Sequence, residues 1–82
     1  MPCVALRFHF TRHAVERESM RGLSQDSIRS VVHNPDKRIH LRSGRRGGTV
    51  YAFEKSMEGA TLKVVAEIYR EDCWIMTAYE IN

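Results

Sequence analysis

The chain has 82 residues and a mass of 9.5 kDa, which allows one domain with one core and excludes both a second domain and the large α/β scaffolds. Hydrophobic residues make up 43% of it, with two prolines and five glycines, so the composition is that of a globular protein and not of a disordered one. The net charge is +3, and ten of the thirteen basic residues are arginine.

The positive charge is unevenly distributed along the chain. Residues 1–48 carry ten basic and four acidic side chains, whereas residues 49–82 carry three basic and six acidic ones. Arginine presents a planar fork of donors that matches phosphate, so this distribution favours a nucleic-acid or phosphorylated partner. A solvated helix face followed by a basic loop would give the same composition.

Location and cofactors can also be predicted. No window approaches the ~18 apolar residues of a membrane span, and the N-terminus lacks the pattern of a secretory signal. We therefore expect a cytoplasmic protein with no membrane contact and with Cys3 and Cys73 reduced. The cysteines and four histidines do not combine into a four-ligand set, so neither a metal nor another cofactor is predicted.

The first 34 residues predict an extended segment and two helices. Residues 6–10 alternate between apolar and polar, which indicates that residues 1–10 form an N-terminal arm or short strand. Thr11 is a candidate N-cap for a helix over residues 12–21, and Ser24 for a second helix. Pro35 ends the second helix, because the residue before a proline avoids the helical region. Residues 11–34 are thus expected to hold two helices.

After Pro35 the periodicity changes to two. Strands are predicted over residues 37–41, 49–57, 60–69 and 73–81, with Ile39 and Leu41 pointing inward. A basic glycine-rich loop covers residues 42–48, and the other turns are short, so residues 37–81 should form an antiparallel meander. The predicted fold class is α+β, with two N-terminal helices packed on one face of a roughly four-stranded antiparallel sheet in a single domain over residues 1–82.

Two groups of basic residues could bind phosphate. His13 and Arg17 lie one turn apart on the first predicted helix, where arginine can bind the charge while histidine moves a proton. An ordinary pair on a helix surface has the same spacing. Arg42, Arg45 and Arg46 lie in the glycine-rich loop, whose backbone can approach a ligand closely. A solvated hairpin loop without a ligand would have the same composition.

The predicted strands supply a third group. Lys63 and Glu67 share one face of a predicted strand, and Tyr51 and Tyr79 lie on other strands. Tyrosines beside basic residues on an exposed sheet can stack on bases and contact phosphates. Alternatively, both tyrosines pack at the edge of the core with their hydroxyls in solvent. Trp74 and Met76 are interpreted as packing residues.

These motifs, in this order, resemble a small bacterial family called domain of unknown function 4258, which is related to the RelE/ParE-like toxin superfamily. The resemblance covers residues 8–81 and rests on Thr11-Arg12-His13-Ala14, Arg17, Arg21-Gly22-Leu23-Ser24, Asn34-Pro35-Asp36, the Arg/Gly loop, Val50-Tyr51, Leu62-Lys63-Val64-Val65 and Thr77-Ala78-Tyr79. It implies a RelE-like fold and a toxin of a toxin–antitoxin pair, with a small antitoxin protein as partner. Such toxins are commonly metal-independent endoribonucleases that cleave mRNA, often on the ribosome, while others inhibit gyrase.

Two functions are therefore predicted. In the first, the protein is a ribonuclease toxin, with His13 or Glu67 as base and Tyr79 or His13 as acid. The phosphate would be held by Arg17, Arg42, Arg45, Arg46 and Lys63, with Tyr51 as a further RNA contact. In the alternative, it is a non-catalytic basic module that docks nucleic acid or a partner protein through its sheet. A homodimer is compatible with both.

Overall fold

A computed structural model describes residues 6–11, 24–57 and 59–81. These residues form one sheet and one helix, in the order β1 (Arg7–Phe10), α1 (Gln25–His33), β2 (Lys37–Ser43), β3 (Thr49–Met57), β4 (Ala60–Tyr69) and β5 (Asp72–Ile81). The strands lie in the order β1-β5-β4-β3-β2 across the sheet. Helix α1 packs against β3 and β4 on one face of the sheet, here called the helix face; the opposite side is the second face.

The predicted fold of two helices on a four-stranded antiparallel sheet is wrong. The sheet has five strands and is mixed, because β1 pairs with β5 in parallel, with Arg7 opposite Asp72 and Phe10 opposite Ile75. The described residues are mostly strand and contain one helix; the helix predicted over residues 12–21 lies outside them. An alternating sequence predicts an extended segment, but the partner of that segment and the direction of pairing depend on tertiary contacts.

Helix α1 forms as its sequence predicts. Ser24 is the N-cap, and its hydroxyl oxygen accepts a hydrogen bond from the backbone N–H of Ser27 at 3.0 Å. Ile28, Val31 and Val32 lie on one side of the helix and are buried against the sheet. Each fully buried side chain of this size contributes about 1.5–3 kcal/mol, which fixes the helix on this face.

The main core lies on the helix face of the sheet. The buried cluster under α1 takes every second residue from each central strand, except that a bulge at Met76 puts both Ile75 and Ala78 in it; its sheet members are Phe53, Leu62, Val64, Ala66, Cys73, Ile75 and Ala78. The intervening residues point to the second face, among them Lys63, Glu67, Trp74 and Tyr79. No helix among the described residues is long and apolar enough to cross a membrane.

Strand β2 departs from the prediction. Ile39 and Leu41 were expected to point inward, but 39% and 48% of their surfaces are exposed. The reason is that β2 is an edge strand that pairs only with β3, and a bulge between His40 and Arg42 breaks its alternation. The Arg/Gly loop was predicted over residues 42–48, but Arg42 and Ser43 belong to β2, opposite Val50 and Thr49, so the loop itself covers residues 44–48 and Arg42 stands at its entrance.

Candidate functional site

A buried carboxylate, Glu67, organises the second face. Only 2% of Glu67 is exposed, because the Arg/Gly loop folds over it. Its Oε2 accepts hydrogen bonds from the backbone N–H groups of Arg46 at 2.8 Å and Gly48 at 3.0 Å. The guanidinium Nη1 of Arg46 lies 3.7 Å from Oε1. Glu67 therefore anchors the loop to the sheet through both of its oxygens.

Glycine is needed for the loop to come so close. A Cβ atom at Gly44 would overlap the carboxylate of Glu67, and one at Gly48 would overlap the backbone oxygen of Ile68. The loop is closed by the N–H of Gly44, which donates to the carbonyl oxygen of Gly48 at 2.9 Å. The glycines in this loop thus bring arginine-bearing backbone onto a buried carboxylate, which larger residues would prevent.

A small basic cavity, here called the loop cavity, lies beside this anchor. It has a volume of about 220 Å³, and its lining includes Arg42, Arg45, Arg46 and Glu67. Three positive charges thus meet one negative charge. Among the described residues, neither the Arg42 nor the Arg45 guanidinium group has a hydrogen-bonded or ion-paired partner. Unpaired guanidinium groups around a small cavity are suited to a phosphate group, which they can bind through charge-assisted hydrogen bonds.

Three flat groups stack on the second face next to the loop. The ring of His9 stacks on that of Trp74, with centroids 5.0 Å apart and an angle of 20° between the planes. The guanidinium carbon of Arg46 lies 5.1 Å from the Trp74 ring centroid. Trp74 stands opposite His9 in β1 and Glu67 in β4, so the stack connects the edge strand to the loop anchor.

Asp72 holds the outer end of this stack. Its Oδ1 lies 2.9 Å from Nε2 of His9 and accepts a hydrogen bond from Nε of Arg7 at 3.0 Å. The hydrogen bonds from Arg7 and then His9 lower the pKa of the Asp72 carboxyl below its ordinary value, and the same carboxylate raises the pKa of Arg7. A carboxylate against one ring nitrogen of a histidine orients the imidazole.

The structure separates several predicted site residues. Lys63 and Tyr79 stand opposite each other on the second face, four residues along β4 from Glu67, which is a distance of about 13 Å. Tyr51 lies on the helix face, where its ring packs 5.8 Å from that of Phe53. His13 and Arg17 lie outside the described residues. The fold brings Arg46 into contact with Glu67 and places Arg42 and Arg45 around the same cavity.

Sequence reasoning missed Arg7, His9, Trp74 and Asp72. Trp74 was interpreted as a packing residue, yet it stacks between an imidazole and a guanidinium. The other three come together only through the parallel pairing of β1 with β5, for which the sequence has no signal. Within residues 6–11, 24–57 and 59–81, no three histidine, cysteine or acidic side chains lie close enough together to hold a metal ion.

Comparison with known proteins identifies the family. The family model described as a domain of unknown function (DUF4258) matches residues 10–80, so the chain belongs to this family. No curated protein and no solved structure matches the chain.

Proposed function

We propose that this member of the DUF4258 family is an RNA-binding protein that holds a backbone phosphate in the loop cavity. The observation that carries the proposal is the pair of guanidinium groups of Arg42 and Arg45, which have no partner in the described part of the chain and lie beside a carboxylate that the loop itself already satisfies. Because Glu67 is occupied by Arg46 and Gly48, it does not compete with a phosphate for the two free cations.

The second face favours an extended polyanion over a small one. Lys63 and Tyr79 lie about 13 Å from Glu67 along the strands, which is too far for one phosphate to reach both places. A chain of nucleotides spans that distance, with different phosphates of one strand at Arg45 and Lys63. Tyr79, beside Lys63, supplies an aromatic surface of the kind on which unpaired bases stack.

Titration of labelled single-stranded RNA at several salt concentrations tests the proposal. Arg45→Gln should weaken binding and reduce the slope of log affinity against log salt by about 0.7, the value for one phosphate contact on a single strand. Arg38→Gln is the matched control, because Arg38 lies on the other side of β2 with its guanidinium 5.1 Å from the Tyr51 ring centroid. It removes the same charge and should leave the slope unchanged. Equal effects of the two variants, or affinity that ignores salt, would contradict the proposal.

RNA cleavage is a second candidate, and the observation that favours it is the contact between His9 and Asp72. Attack by the 2′-hydroxyl needs a base on that oxygen and an acid on the leaving oxygen, both within hydrogen-bond reach of one phosphate. Glu67 and Tyr79 are too far apart to divide these roles, whereas His9 is exposed and its ring is held by Asp72. In this candidate His9 is the base.

His9→Gln should then lower the rate of RNA cleavage about 10²–10⁴-fold while leaving RNA affinity nearly unchanged. The cleavage reaction is followed on gels with purified protein, with and without ribosomes. If the wild-type protein never shortens RNA, this candidate is wrong and RNA binding is unaffected.

A toxin role and a place among RelE/ParE-like proteins belong to this second candidate. If both hold, expression of the chain should arrest bacterial growth, and co-expression of a small protein from a neighbouring reading frame should restore it. The His9→Gln variant tests whether cleavage causes the growth arrest, because a toxin that acts by cleavage loses its effect on growth when the base is removed. Undiminished toxicity of His9→Gln would contradict the assignment.

A further inference from the structure

A second cavity, here called the turn cavity, lies where β4 turns into β5. It has a volume of about 420 Å³ and is lined by Arg7, Tyr69, Arg70, Glu71 and Asp72. It adjoins the Arg/Gly loop, since a Cβ atom placed on Gly47 would lie 3.7 Å from Cε1 of Tyr69. The two cavities are therefore close enough for one strand of RNA to occupy both.

The turn cavity differs from the loop cavity in its charge. Two arginines are balanced by two carboxylates, and Arg7 and Asp72 are already bonded to each other. The carboxylate of Glu71, by contrast, is exposed and has no hydrogen-bond partner among the described residues, although the backbone oxygen of Glu71 accepts from the N–H of Arg7 at 2.7 Å. Tyr69 is 37% exposed, and the guanidinium carbon of Arg70 lies 5.1 Å from its ring centroid. A neutral, flat ligand with donors and acceptors at its edge matches this lining better than a second phosphate does.

The backbone of Arg70 points to the same use. Arg70 has a φ of 56°, whereas the other described residues with positive φ, Gly47 and Gly59, are glycines. A side chain in the left-handed region is strained, and hairpin turns normally place glycine or asparagine there. An arginine in this conformation costs stability that a glycine would not, which favours a role for its side chain.

We propose that the turn cavity binds a nucleobase of the RNA strand whose phosphate occupies the loop cavity. The base stacks on the pair formed by Tyr69 and Arg70, as bases do on aromatic rings and guanidinium planes. The carboxylate of Glu71 accepts a hydrogen bond from an exocyclic amino group of the base. Adenine, cytosine and guanine carry such a group, whereas uracil offers only its ring N3–H, so the cavity favours the three amino-bearing bases over uracil. This inference rests on the proposed RNA binding.

The test measures the affinity of short single-stranded oligonucleotides of adenosine, cytidine or uridine. Tyr69→Val should weaken binding of the adenosine and cytidine strands about tenfold, the effect of losing one stacked base. Glu71→Gln should raise the affinity for uridine relative to cytidine, because an amide can also donate to the uracil carbonyl. Wild-type protein should bind a fully paired hairpin more weakly than a single strand, since paired bases cannot enter the cavity.

Arg70→Gly separates a role in binding from a role in folding. Glycine adopts positive φ without strain, so this variant should be at least as stable to heat as the wild type and yet bind RNA more weakly. A variant that loses thermal stability along with affinity would overturn the inference, because Arg70 would then be structural.

The remaining outcomes distinguish the two proposals. If Arg45→Gln weakens RNA binding while Tyr69→Val, Arg70→Gly and Glu71→Gln behave as the wild type, the base subsite is wrong and phosphate binding stands. If no oligonucleotide binds at all, the proposed function itself is wrong. Binding of poly-glutamate as tight as that of RNA would contradict both, since it would point to an acidic protein partner.

Discussion

Replacement of Glu67 by leucine tests whether the Arg/Gly loop depends on one buried carboxylate. Leucine removes the acceptor of the Arg46 and Gly48 N–H groups and the partner of the Arg46 guanidinium. A hydrogen bond to a charged group contributes about 1.5–3 kcal/mol. Because Arg46 lies in an exposed stretch of loop, its N–H can regain water, so we expect a net loss of about 2–4 kcal/mol in the free energy of unfolding. That is a large part of the roughly 4–12 kcal/mol expected for a domain of this length.

The assay is urea unfolding, supported by a thermal scan in which Glu67→Leu should lower the melting temperature by on the order of 10–20 °C. Glu67→Gln keeps one acceptor oxygen and should cost about 1 kcal/mol. Glu71→Gln is the control, since Glu71 is exposed and surface changes of this kind stay within about 0.5 kcal/mol. If the free energy of unfolding of Glu67→Leu stays within the range of the control, other contacts hold the loop and Glu67 does not preform the loop cavity.

Four further outcomes follow from the packing. Gly44→Ala should destabilise the protein and weaken RNA binding, because the added methyl overlaps the buried carboxylate beneath it; unfolding and anisotropy measurements check this. Burial raises the pKa of the Cys73 thiol to about 12, so in a Cys3→Ser background a thiol reagent at pH 8 should label the protein only on unfolding. The pKa of Asp72 is lower in the folded state, so its contribution to stability is present at neutral pH and is lost as the pH falls from its ordinary pKa through the folded-state pKa. In Asp72→Asn, the free energy of unfolding measured in urea should therefore fall less between neutral and acid pH than in the wild type. Ser24→Ala should cost about 1 kcal/mol in urea unfolding by removing the N-cap of α1.

Local patterns predicted the elements well where neighbouring residues decide the outcome. Helix α1 begins after Ser24 and ends before Pro35, because capping and the restriction before proline act within a few residues. The two long strands Thr49–Met57 and Ala60–Tyr69 have the predicted bounds, since a half-buried strand alternates along its own sequence. Strand β2 deviates because exposure depends on which strand lies beside it, and no other strand of the described residues pairs with its outer edge.

The candidate site could be predicted from the sequence only in part, for the same reason. Arg42, Arg45 and Arg46 stand out as a basic cluster within one glycine-rich loop, because they are close in sequence. Glu67 could be marked as a polar residue in a strand, but its burial comes from a loop some twenty residues away. Tyr51 and Tyr79 looked equivalent in sequence, and the registers of β3 and β5 place them on opposite faces of the sheet.

The amino-acid sequence by itself determined a small basic domain, its helix caps, its alternating strands and an arginine-rich loop, all of which follow from composition and from interactions between near neighbours. Only the tertiary structure decided that the first strand joins the last in parallel, which brings Arg7 and His9 to Asp72 and Trp74. It also decided that the loop closes over Glu67 and that the turn at Arg70 lies beside it. These contacts join residues twenty to more than sixty positions apart, and they form because strands complete their hydrogen bonds with whichever partner the buried core brings alongside.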